Sequence, residues 1–256
     1  MRFVDIEEAR AATGLRLVIA GNVPSPWSQA AMGIFDLKGL DYAAVRLRPA
    51  AEAVRVWTGS HNAPVAIYDG EPPRTGWAEI LALGERLGGR RALIPAGDEA
   101  RVQTFGLAHE ILGEGGLGWS VRLLLVHASL TTEGREGWPS AVASYLAPKY
   151  GYAPERAAGA RERAIQVLGL LGRSLETSRR DGHDYFFGHE PTALDIYAAT
   201  VTNVVAALPP AACPMPEPVR HAFETLDRTV RDAVPSALIR HRDRMYEHHL
   251  PLPLRF

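Results

Sequence analysis

Continuous aliphatic runs occur in the first third of the chain and then give way to helical periodicity. "LRLVIA" (15–20) is apolar throughout and bounded by Gly14 and Gly21, which predicts a buried strand. "QAAMGIFDLKGL" (29–40) follows as a helix, with Met32, Ile34, Phe35 and Leu37 on its apolar side and Gly39 as its stop. "YAAVRL" (42–47) predicts a second strand, and "PVAIYDGEPP" (64–73) a third that runs into a turn. "WAEILALGERLGG" (77–89) is helical again, with Ile80, Leu83 and Leu87 inward and a double glycine at its end. The first residues, "MRFVDIEEARAATG", read as a short amphipathic lead-in.

Beyond residue 96 the pattern is helical throughout. Asp98 is placed to cap a helix with Val102, Phe105, Ala108 and Leu112 on one side. In "PERAAGARERAIQVLGLLGRSLE", Ile165, Leu168, Leu171 and Leu175 repeat at helical spacing, and "PTALDIYAATVTNVVAAL" is apolar enough to lie inside a bundle. A last helical region, 217–250, is broken near Pro235. This order predicts an α/β domain over residues 1–90, with 1–14 as an extension, and an all-helical domain over 96–256.

Composition narrows the function classes. With 256 residues and a net charge of −1, the chain has no basic field for nucleic acid or anionic lipid, and its arginines, mixed with acids, read as a solvated surface. No apolar run has the length of a membrane span, and the start of the chain lacks an apolar signal core. The lone cysteine, Cys213, has no CxxC partner and suits a reducing compartment, so a cytoplasmic protein is expected.

Two patterns invite chemistry and are set aside. "GEGGLG" (113–118) has dinucleotide-loop spacing, but the residues before it are helical and no crossover strand follows, so a bend between helices is expected. His241, His248 and His249 have no companion ligands at metal-site spacing, and no metal is expected.

Three segments in order resemble the glutathione transferases. "SPWSQAAMGIFDLKGLDY" is similar to their first turn and helix, "NAPVAIYDGE" to their third strand with its cis-proline, and "FFGHEPTALDIYAA" to the start of their buried central helix. The resemblance spans residues 15 to about 205. It implies a thioredoxin-like α/β domain followed by a helical bundle, glutathione as co-substrate, and a homodimer. It further implies that Ser25 stabilises the glutathione thiolate, with Trp27, Ser28, His61, Asn62, Ala63, Pro64, Thr75, Gly76 and Trp77 around the substrates. Bottom-up, a hydroxyl at a helix opening after a strand sits where unpaired N–H groups favour an anion. It could equally only cap the helix. Thr192 and Asp195 read as a capping box.

The pattern breaks at one place. Where transferases usually carry an acid–serine pair for the γ-glutamyl end of glutathione, this chain has Thr75-Gly76. The N–H groups of Gly76 and Trp77 remain for an anion, and Glu71 is a substitute acid in the neighbouring turn. Loss of an acid–ammonium hydrogen bond costs about 1.5–3 kcal/mol, which is roughly ten- to a hundredfold in affinity. Two functions are therefore carried forward. One is a glutathione transferase-like enzyme acting on a hydrophobic electrophile, with Trp27 and Trp119 as cleft candidates. The other is a transferase-fold protein with weakened glutathione use that binds ligands or partners.

Overall fold

The computed structural model describes residues 1–47, 52–89 and 91–256; position 90, the expected end of the first domain, lies outside them. In chain order the elements are β1 (Arg2–Phe3), α1 (Ile6–Ala11), β2 (Leu15–Ala20), α2 (Pro26–Leu37), β3 (Tyr42–Leu47), α3 (Glu52–Thr58), β4 (Val65–Tyr68) and α4 (Trp77–Leu87). Helices alone follow: α5 (Asp98–Leu112), α6 (Leu117–Thr131), α7 (Ser140–Lys149), α8 (Pro154–Arg180), α9 (Ala193–Val205), α10 (Glu217–Glu224), α11 (Arg228–Asp232) and α12 (Ser236–His248). This is the expected thioredoxin-like α/β unit followed by an all-helical one.

The four strands lie in the order β1-β3-β2-β4, with β1 and β2 parallel to β3 and β4 antiparallel to β2. The strands are apolar without alternation because both faces of the sheet are covered. Leu15, Leu17, Ile19, Tyr42, Ala44 and Ala66 pack with α2 and α4, whereas Val18, Val45, Val65 and Ile67 pack on Ala9 of α1 and Val54 of α3. The N-terminal lead-in is thus built into the domain: α1 covers the sheet, and β1 extends its edge. Two residues of strand are too short to leave a periodic signal.

The first core is continuous with that of the helical unit. α2 packs against α9 so closely that a Cβ on Gly33 would lie 3.0 Å from Ile196 Cγ2 and 2.8 Å from Leu250 Cδ2. Every residue of α9 is buried, as its composition predicts. At its start the buried Asp195 carboxylate accepts from Thr192 N–H at 2.7 Å, Thr192 Oγ1 at 2.8 Å and Phe186 N–H at 3.1 Å.

Two expectations shift. Asp98 is the first residue of α5 rather than its cap, which is Gly97. The buried side of α5 is Thr104, Ala108, Ile111 and Leu112, leaving Val102 71% exposed. The third strand runs into a turn after Tyr68, as expected: Asp69 adopts φ 45° and the chain turns back to pair Ala66 with Arg74.

Candidate functional site

The end of the sheet where β2 finishes and β4 begins gathers the residues the sequence nominates. β2 ends at Ala20, and the chain turns through residues 21–25 into α2. Pro26 opens that helix, where a missing N–H costs nothing. Ser25 is the N-cap by position, yet its side chain makes no capping hydrogen bond. It is 5% exposed, and its backbone carbonyl rather than its hydroxyl serves the helix, accepting from Gln29 N–H at 2.9 Å. A buried hydroxyl at a helix N-terminus, with no hydrogen bond to another described residue, is free to donate to an anion beside it.

Antiparallel register brings the second group to the same end. Val65 lies opposite Val18, so the chain ahead of it, Pro64 and Ala63, runs on beside Ile19 and Ala20. The Ala63–Pro64 peptide is cis, as the resemblance implies. Ala66 exchanges backbone hydrogen bonds with Arg74 at 2.9 Å each way, so Thr75 and Gly76 follow beside Val65 and Pro64. His61 and Asn62 stand exposed in the loop before Ala63, and Thr75 is exposed beside the start of α4.

Several nominated groups are already engaged. The Ser28 hydroxyl is buried and accepts from Ala20 N–H at 3.0 Å, tying α2 to the end of β2. Trp27 donates its indole N–H to Leu112 O at 2.9 Å, and its ring packs so closely on the start of α6 that a Cβ on Gly118 would lie 3.1 Å away. This contact accounts for the last glycine of "GEGGLG", which is a bend between α5 and α6. The Trp77 ring lies in the seam between the two units, edge-on to Tyr197 at 5.7 Å and tilted against Phe105 at 6.1 Å.

The γ-glutamyl end differs from the expectation. Gly76 N–H is not open to an anion: it donates to Glu79 Oε2 at 3.0 Å. Glu71 is not a spare acid either. Its carboxylate holds Arg74 at 2.5 Å and Arg86 at 2.6 Å, and these two hydrogen-bonded guanidinium groups lower its pKa. Glu79 is the third residue of α4 and Arg74 is three residues from Glu71, so both lie at local spacing; only Arg86 reaches Glu71 from further along the chain.

Sequence reasoning also missed Arg122. It is buried in the apolar helix α6, with its guanidinium carbon 5.8 Å from the Trp27 ring centroid and 5.0 Å from that of Trp138. The signal was a single cation inside "VRLLLV", taken with the other arginines as surface. Trp119 stacks edge-on against Tyr150 at 4.7 Å nearby.

Other candidates lie elsewhere. A cavity of about 530 Å³ between α2, the end of α12 and the C-terminal tail includes none of the nominated residues. His241 is buried beside Phe186 and Asp195, His249 hydrogen-bonds Tyr185 at 2.5 Å, and His248 is exposed. No group of three or more metal-ligating side chains is found among the described residues. Cys213 is buried, and burial pushes its thiol up. No described helix is long and apolar enough to cross a membrane.

Comparison with known proteins finds the likeness in structure alone. No protein-family model matches the chain, and no curated protein sequence does. A glutathione S-transferase from Methylobacterium radiotolerans, in complex with glutathione sulfonate, aligns with TM-score 0.60 and 19% identity over 95% of this chain and 98% of that one. A glutathione S-transferase domain-containing protein from Marinobacter aquaeolei aligns with TM-score 0.62 and 14% identity over 92% and 100%. A glutathione S-transferase from Methylobacillus flagellatus, with glutathione bound, gives TM-score 0.55 and 14% identity over 87% and 100%. At such identities the likeness is one of fold.

Proposed function

We propose that this chain, which has the fold of the glutathione transferases, binds glutathione at the Ser25 end of its sheet and transfers the thiolate to an electrophile. The observation that carries the reading is the Ser25 hydroxyl, buried at the opening of α2 and not used to cap it. Such a hydroxyl donates to a thiolate and, with the helix N-terminus, favours the ionised sulfur. Neither backbone group of Ala63 is paired within the described residues, so both can meet the cysteinyl part of the tripeptide. His61, Asn62, Thr75 and the Trp77 N–H line the approach. Ser28 acts by holding the turn, and Trp27 by joining it to the helical unit. Two of the aligned structures, those from Methylobacterium radiotolerans and Methylobacillus flagellatus, contain a glutathione species.

The second reading, a ligand-binding or interaction module, is favoured by Glu79. Its carboxylate occupies the N–H that would otherwise face the γ-glutamyl carboxylate, and Glu71, the acid of the neighbouring turn, is engaged by Arg74 and Arg86. Calorimetric titration with glutathione separates the two. Saturable heat, with affinity roughly ten- to a hundredfold below that expected of an intact acid–serine pair, supports the transferase. No heat at millimolar glutathione supports the module.

The proposed assembly is a two-fold homodimer, with the first domain of one chain against the helices of the other, and rests on the family resemblance. Sedimentation velocity at micromolar concentration is expected to give twice the monomer mass, and a monomer rules the dimer out. A cytoplasmic location is proposed with it, on the single buried thiol of Cys213.

A further inference from the structure

One face of α2 takes no part in the Ser25 site. Gln29, Met32, Gly33 and Asp36 stand at positions i, i+3, i+4 and i+7, which is a single stripe along the helix. That stripe is the floor of the cavity of about 530 Å³, and the end of α12 and residues 249–255 of the tail close over it. A cavity of this size suits a small organic ligand. Most of its lining is apolar, with Met32 below and Leu250, Pro251, Leu252, Pro253 and Leu254 above. The roof is tied down at two points: Gln29 Nε2 donates to Arg255 O at 3.1 Å, and Leu254 N–H donates to Ala212 O at 2.8 Å.

The charge in this cavity is a carboxylate without an ion pair. Asp36 stands half-buried at the end of the stripe away from Ser25. Tyr42 Oη donates to its Oδ1 at 3.0 Å, and its Oδ2 has no donor among the described residues. Burial raises its pKa despite that bond, and the positive group that acts on it, the Met1 amine, is not within ion-pair distance. The surrounding cations are engaged or turned to solvent. A smaller cavity of about 290 Å³ shares Asp36, His248 and His249 with the first, and Arg91 on its wall is held by Glu190 at 2.6 Å. His249 Nε2 pairs with Tyr185 Oη at 2.5 Å, and burial, with Arg91 and His248 behind it, lowers its pKa, so it is neutral at pH 7.5. Glu247, His248 and Arg255 are exposed at the rim.

At the other end of the stripe, Gln29 spends its N–H on the tail and its Oε1 has no donor among the described residues. Neither Asp36 Oδ2 nor Gln29 Oε1 is sealed from solvent, so a ligand can reach both. The two residues are about 10 Å apart along the axis, with an apolar floor between them. Such a lining complements a cation that carries N–H donors on an apolar body.

We propose that this cavity binds an apolar primary amine, with its ammonium on the Asp36 carboxylate and its hydrocarbon body between Met32 and the prolines of the tail. The ammonium supplies the partner that Asp36 lacks, in a partly desolvated place where a charged hydrogen bond is stronger than at an open surface. The same carboxylate repels an acid. The site shares no residue with the Ser25 end, so it stands whether or not the chain uses glutathione.

The test is calorimetric titration at pH 7.5 with hexylamine and 2-phenylethylamine, each beside the alcohol of the same skeleton. Alkylammonium groups like that of lysine, with a pKa of about 10.4, are charged at that pH. At least one amine is expected to bind about ten times more tightly than its alcohol. Asp36→Asn, which keeps an acceptor for Tyr42, is expected to remove that preference. Equal binding of amine and alcohol, binding of neither, or a folded Asp36→Asn protein that keeps the preference overturns the site. Should Asp36→Asn fail to fold, Leu252→Lys places a positive charge on the lining at a position that is 44% exposed and tolerant of change. It is expected to weaken the amine at least about threefold, and no change counts against the proposal. A separate glutathione titration keeps the two readings apart. Amine binding with no glutathione heat leaves this site standing and removes the transferase, and the reverse result removes the site.

Discussion

Ser25→Ala is expected to slow glutathione attack on a chloronitrobenzene electrophile roughly ten- to a hundredfold at pH 6.5, with glutathione affinity changed less than about threefold. An ordinary thiol has a pKa of about 8.5, so only about one in a hundred is ionised at that pH. A hydrogen bond to a charged group contributes about 1.5–3 kcal/mol, and each pKa unit corresponds to about 1.4 kcal/mol. Removing the donor therefore returns the bound thiol about one to two units toward its free value. The sign of the pH dependence follows. The variant recovers as pH rises through the ordinary thiol pKa, because above it the sulfur is ionised without help. The control is favourable: the Ser25 hydroxyl makes no capping bond, so the melting temperature should barely move. Rates measured from pH 6 to 9 decide the matter, and a ratio of wild type to variant that is near one, or independent of pH, strips Ser25 of its chemical role.

Asp195→Ala is expected to cost about 3–5 kcal/mol. The carboxylate is fully buried and takes hydrogen bonds from Thr192 N–H, Thr192 Oγ1 and Phe186 N–H, so its removal leaves two backbone donors without acceptors at the start of α9. For a chain of this size the loss corresponds to a fall of roughly 10 °C in melting temperature. Asp195→Asn keeps one acceptor and should fall between. The same carboxylate, 3.4 Å from His241 Nε2, bears on acid stability. Burial lowers the His241 pKa and Asp195 partly offsets it. The unfolded chain takes up the proton as pH falls through about 6.5 while the folded one does not. Stability is therefore full above that pH and declines by up to about 1.4 kcal/mol per unit below it, until the folded pKa is reached. Without Asp195 the decline should extend to lower pH. Thermal melts of both proteins at pH 5 and 7.5 check this, and a loss under 1 kcal/mol at pH 7.5 would show that the box is dispensable.

What was legible in the sequence follows from the range of the interactions involved. The β2 and β3 runs, the helical second half and the buried α9 are carried by neighbours a few residues apart, and local periodicity reports them directly. Ser25 before Pro26, Pro64 at the head of a strand, and Thr192 with Asp195 were readable for the same reason, since caps and turns are local devices. The first helix begins at Pro26 rather than 29 because proline favours a first helical position, a cue the apolar count passes over. Helices α3 and α7 went unread: one is short and leads directly into the turn residues "GSHN" (59–62), and the other buries only Ala143 of its ten residues.

The chain's own letters determined the order of elements, the hydroxyl at the first helix opening and the cap of the central helix, because each depends on residues that are neighbours in sequence. The tertiary structure alone decided which groups are spent and which are free. Arg86 takes Glu71 from fifteen residues away, Leu112 takes the indole of Trp27, and Arg122 has aromatic rings and no acid beside it among the described residues. Charge and hydrogen-bonding capacity are consumed by whatever lies within about 3–4 Å in space, and α6 meets the Ser25 turn only after the helical part of the chain has folded back on the α/β part.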